Sequence, residues 1–115
     1  MSDKIKTGKK GEIIAASLLL ENGYEIVERN YRYKHSEIDL IVIKNGFLVF
    51  VEVKTRKSTA FGDPESFVTD AQKEKIVQGA EAYIFNTGWQ GPIRFDIVSV
   101  VLDLPVSVTH FEDAF

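Results

Sequence analysis

Two carboxylates and a lysine, Asp39, Glu52 and Lys54, lie close together in the chain and are otherwise surrounded by Ile, Leu, Val and Phe. Between them stands Lys44-Asn45-Gly46, and Asn-Gly flanked by apolar runs is the strongest short hairpin signal. Read as a two-residue turn, it pairs Lys44 with Phe47. The same register puts Asp39 opposite Glu52 and Glu37 opposite Lys54. Residues two apart on a strand share a face, so these four side chains form one charged square. Directly opposed side chains have Cβ atoms ~4.5–5.5 Å apart, and like charges placed so are destabilising. A divalent cation would relieve the repulsion between Asp39 and Glu52.

The donor set suggests which cation. The chain has no cysteine, and His35 is the lone histidine near these residues. A hard ion, Mg²⁺ or Mn²⁺, fits oxygen ligands better than zinc does. It often needs only one or two protein carboxylates besides water and substrate phosphate. An ion held by Asp39 and Glu52, with the Val53 carbonyl as a third ligand, could polarise a phosphate and acidify a bound water. Lys54 could orient that water or stabilise charge developing on the phosphoryl oxygens. The chemistry that results is phosphodiester hydrolysis.

The flanking elements follow from periodicity. Residues 7–22 read as a helix whose apolar positions Ile13, Ala16, Leu19 and Leu20 recur at three- and four-residue spacing. Glu12 shares the face of Ala15, Ala16 and Leu19, where a carboxylate is costly unless paired or metal-bound. It is therefore a further candidate for catalysis and for the ion. Strands are expected over 24–33, 37–43 and 47–56, the first with enough polar positions for a sheet edge. Residues 57–66 read as a loop punctuated by Gly62 and Pro64. A second helix is expected from Thr69 or Asp70 to about Asn86, with a core stripe of Ile76, Val77, Ala80, Tyr83 and Ile84. Lys73 begins that stripe and, with its neighbour Gln72, is an accessory candidate, as is Glu37. Strands over 93–102 and 106–111 complete the order. The order αβββαβ, with strands outnumbering helices, calls for an α/β fold with a central mixed sheet flanked by helices.

Bulk properties fit this plan. A chain of 115 residues, 44% hydrophobic and 27% charged, is expected to form a single domain spanning 1–115. No apolar run approaches the ~18 residues of a membrane span, and the lysine-rich start does not read as a signal peptide. A cytoplasmic protein with no membrane partner is the expectation. The net charge is −3, but residues 1–57 carry 11 Lys/Arg against 8 Asp/Glu, and residues 58–115 carry 3 against 9. The basic excess lies in the half that holds the candidate site, which points to a phosphate-rich partner. Lys9, Lys10, Arg32, Lys34, Arg56 and Lys57 are the candidate contacts to nucleic acid.

The segments GKKGEIIAASLLLENGYEIVERNYR, SEIDLIV, FLVFVEVKTR, the FG of the following loop, and RFDIVSV closely resemble the YraN-like family of small bacterial proteins. That family looks like a branch of the PD-(D/E)XK nucleases and is similar in its core to archaeal Holliday-junction resolvases. The resemblance implies a restriction-endonuclease-like αβββαβ core, with Asp39 as the catalytic aspartate and Glu52-Val53-Lys54 as the (D/E)XK element. It also implies that Glu12 is the helix acid of the resolvase-like members, and by analogy a homodimer. Where the family usually has Gly-Glu-Ile-Asp, Ser36 precedes Glu37 here. The expected function is metal-dependent cleavage of nucleic acid, DNA before RNA, with structure-specific cutting as one form of it. Two other readings use the same residues: a nuclease-fold module that binds nucleic acid without cutting, and a protein-interaction domain.

Overall fold

A computed structural model of the chain describes residues 3–58 and 68–115. The loop read over 57–66, with Gly62 and Pro64, falls mostly outside them, as does the FG pair. The elements run α1 (Asp3–Glu21), β1 (Glu25–Tyr33), β2 (Ser36–Lys44), β3 (Phe47–Arg56), α2 (Asp70–Thr87), β4 (Ile93–Val101) and β5 (Ser107–Phe111). The order is that expected from the sequence, with α1 beginning four residues earlier.

The strands form one five-stranded sheet in the order β1-β2-β3-β4-β5. Neighbours are antiparallel except β3 and β4, which are parallel. A parallel neighbour requires a crossover, and α2 supplies it. Asn45 and Gly46 have φ of 52° and 80°, as a two-residue type I′ hairpin demands.

Alternation along the strands divides the core between two faces. On one face Leu40, Val42, Val49, Val51, Val98 and Val100 pack with Ala15, Ala16 and Leu19 of α1. On the other, Ile41, Leu48 and Phe50 pack with Ile76 and Ala80 of α2. The helices therefore cover opposite faces of a mixed sheet. Of the expected α1 stripe, Ala16 and Leu19 are buried, while Ile13 is 64% and Leu20 53% exposed. Ala15 replaces them, because the helix lies on the sheet along its small residues.

Gly11 shows how close that contact is. A Cβ built there would stand 1.7 Å from Thr55 Oγ1 and 2.8 Å from Thr55 Cβ. A mid-helix glycine costs ~1 kcal/mol relative to alanine. Here it lets α1 touch β3 one residue beyond Lys54, and it is the residue next to Glu12.

Gly11→Ala is accordingly expected to destabilise the protein by ~1–3 kcal/mol in urea denaturation, the usual cost of overpacking. The loss should shrink by ~1 kcal/mol in a Thr55→Ala background. Strictly additive effects would show that the helix does not depend on this approach.

Candidate active site

The hairpin register holds for five pairs, from Lys44–Phe47 to Leu40–Val51, and the ladder ends there. It stops one pair short of Asp39 and Glu52. The Val53 N–H instead donates to Asp39 Oδ2 at 2.8 Å, so a side chain replaces the strand. Glu37 pairs across β1 with Arg32 rather than with Lys54. Its carboxylate lies 3.3 Å from the Arg32 guanidinium. The expected ladder of opposed charges is therefore corrected, although all four of its residues reach one cleft.

The cause is a break in the pleat. Ile38 packs on the α2 side and Leu40 on the α1 side, though residues two apart should share a face. The break falls on Asp39. In β1, Tyr31 packs on the α2 side, whereas Arg29 lines the cleft together with Leu40. That break falls on Asn30, whose φ is 53°. Asn30 stands opposite Asp39, between the pairs Arg29–Leu40 and Tyr31–Ile38. With its amide nitrogen turned inward it donates to Glu12 Oε1 at 2.9 Å and Glu37 Oε1 at 3.2 Å.

The carboxyls of Glu12, Asp39 and Glu52, brought from three elements, lie close enough to shift one another's proton affinity, with Asp39 acting on both of the others. Burial, followed by the charge of Asp39 and a hydrogen bond to it, pushes Glu12 up to about 7. Burial and then the charge of Glu52 push Asp39 up to about 8, against the opposing pull of the Val53 N–H. Burial also raises Glu52, although the Asp39 hydrogen bond and the Lys54 charge pull it back. Three acids this close hold protons between them because charging all three would leave uncompensated repulsion.

The cleft has a volume of about 1020 Å³. Glu12, Glu37, Asp39, Glu52, Val53 and Lys54 line it, with Lys9, Arg32, Arg56 and Lys57 among the cations. Lys10 and Lys34 do not line it. Lys34 instead lies over the Tyr33 ring, 5.3 Å from its centroid.

Lys73 and Gln72 are not brought to the site, because α2 covers the opposite face. Gln72 closes the α2 capping box, accepting from Thr69 N at 2.9 Å. Lys73 lies over the Phe115 ring at 5.7 Å. Ser36 is buried on that side too, and its hydroxyl donates to the Lys75 carbonyl, so it stays out of the cleft.

The sequence reading passed over Arg29 and Asn30. Only the Tyr33–Ser36 pairing around Lys34-His35, a turn without glycine, could have brought Asn30 opposite Asp39. His110, which the sequence did not single out, has its Nε2 2.7 Å from the buried Asp96.

These raised carboxyls set the sign of a pH effect. The folded, metal-free protein binds protons near neutrality that the unfolded chain has released. Their stabilisation is complete below the ordinary carboxylate range and is lost as pH rises through about 7 to 8. In EDTA, Tm should therefore fall between about pH 5 and 8, and Glu12→Gln should flatten the fall. A wild-type profile that is level or rising there, measured by differential scanning calorimetry, would contradict this account of the acids.

Residues 11–100 match the model of the family described as "Uncharacterised protein family UPF0102". A UPF0102 protein of Cytophaga hutchinsonii is 46% identical over 105 residues, covering 90% of this chain and 93% of its own. One of Chlorobium chlorochromatii is 40% identical, covering 94% and 89%. One of Phocaeicola vulgatus is 38% identical, covering 100% and 96%. With matches of this extent, the chain belongs to the UPF0102 family.

Proposed function

We propose that this protein is a metal-dependent nuclease of the PD-(D/E)XK kind that hydrolyses phosphodiester bonds, with DNA as the first substrate to test. One observation carries the reading: carboxyls from α1, β2 and β3 meet beside Lys54 in a cleft lined by cations.

The donor set fits a hard divalent ion. Among the described residues no group of three or more His, Cys, Asp or Glu side chains forms a ready cage. Magnesium does not need one, since two carboxylates, a carbonyl, waters and a substrate phosphate suffice. Asp39 and Glu52 would hold it, with the Val53 carbonyl as third ligand and Glu12 beside them. The repulsion that makes these acids retain protons is what a cation relieves. Bound there, Mg²⁺ or Mn²⁺ supplies polarisation of the phosphoryl oxygen and a water acidified enough to attack.

The remaining work falls to the chain's own side chains. The Lys54 ammonium, half-buried and next to Glu52, is placed to offset charge developing on the phosphoryl oxygens. The Val53 N–H fixes the orientation of Asp39 by occupying Oδ2. Glu37 is held by Arg32 at the rim and serves as an accessory acid. Lys9, Arg29, Arg56 and Lys57 line the same cleft and would hold the flanking phosphates.

Incubation with plasmid, single-stranded and branched DNA in Mg²⁺ or Mn²⁺ tests this. Asp39→Asn and Lys54→Ala are each expected to lower cleavage by ~10²–10³-fold, the scale of removing one transition-state stabiliser. Cleavage that survives both substitutions would refute the assignment. Salt-sensitive DNA binding in EDTA, with no cleavage in any metal, would leave a binding module instead.

A further inference from the structure

Asn30 lies mid-strand in β1 with φ of 53°. The left-handed region costs ordinary residues ~1–2 kcal/mol, and asparagine tolerates it better than most. Glycine would tolerate it at least as well, so the backbone does not by itself call for an amide. The side chain gives the second reason. Its nitrogen reaches Glu12 Oε1 and Glu37 Oε1, tying α1 to β2 at the point opposite Asp39. The orientation is assigned from the hydrogen-bond network, because an oxygen turned the same way would face the acidic side chains of Glu12 and Glu37.

The two contacts are unequal in consequence. Glu37 already has the Arg32 guanidinium. Around Glu12 the nearby charges are Asp39 and Glu37, which repel its carboxylate, and Lys9, which attracts it. The amide of Asn30 therefore opposes two repulsions at the one acid that arrives on a helix.

We propose that Asn30 is a positioning residue that holds the Glu12 carboxylate against Asp39, keeping the α1 acid within reach of the ion site. This rests on the metal reading given above. Groups that orient a metal ligand typically change affinity or activity 10–100-fold when removed.

The test is a calorimetric Mn²⁺ titration of wild type, Asn30→Gly, Glu12→Ala and the double variant. Glycine keeps the left-handed backbone and removes only the amide. Asn30→Gly is expected to weaken Mn²⁺ binding ~10-fold, and to cost nothing further once Glu12 is alanine. An unchanged affinity, or a cost that persists undiminished without Glu12, would overturn the proposal. A second measurement needs neither metal nor a folded Asn30 variant. The Asn30 side-chain amide signals in a ¹⁵N–¹H correlation spectrum should shift and exchange faster in Glu12→Ala. Signals that stay put would overturn the proposal. Signals that move in a protein that binds no Mn²⁺ would uphold the Asn30–Glu12 contact and remove the metal reading instead.

Discussion

Past Leu40 and Val51 the β2–β3 ladder gives way, and the Val53 N–H is satisfied by the carboxylate of Asp39. A main-chain donor left unpaired inside a sheet would be costly, so the Asp39 side chain does structural work as it enters the cleft. The exchange ends the regular pairing, turns Asp39 out of the pleat and lets Glu52 approach it. Its counterpart in β1 is Asn30, whose left-handed backbone reverses the side-chain phase at the same level. Two adjacent strands break step together, and the cleft is built where they do.

A break in a sheet would not make a site without a third wall. Helix α1 provides it, and Gly11 sets how near the helix can come to Thr55. The small residues Ala15 and Ala16 continue that contact down the sheet face. Glu12 is thus carried in by backbone-level packing, while its own environment opposes its charge. Burial and the neighbouring acids raise it, and Lys9 counters them. Packing energy stored in the α1 interface offsets the electrostatic strain of the acid cluster, which is how a rigid scaffold sustains a constellation that would otherwise separate.

Much of this was legible in the sequence because it depends on local chemistry. Asn45-Gly46 set the hairpin register, and five pairs obey it. The six-element αβββαβ order followed from periodicity, and Glu12 stood out as an acid on an apolar helix face. What stayed hidden was tertiary. No pattern of two announces that Asp39 will take the Val53 N–H and end the ladder. Asn30 looked like one polar residue in a polar edge strand, because its importance comes from a turn at Lys34-His35 that lacks glycine. Lys73 looked inward by helical phase, with Gln72 taken beside it, but α2 covers the other side of the sheet.

Asp96 gives the contrast that separates structural acids from the candidate catalytic ones. It is fully buried, as a lone carboxylate could hardly be. Burial alone would raise it, yet hydrogen bonds from His110 and Arg94 and the Asp113 N–H hold it below the usual carboxylate range. Arg94 also donates to the Tyr24 hydroxyl at 2.7 Å, so this network fastens β4 and β5 to the connection between α1 and β1. Every charge there meets its opposite, and nothing in it awaits a ligand. At Asp39 and Glu52 the balance is reversed: the acids are pushed up, their nearest neighbours include one another, and at Glu52 the positive charge of Lys54 pulls back only after the Asp39 hydrogen bond. Shifts of opposite sign in one small sheet mark which acids the fold uses to close itself and which it leaves in want of positive charge.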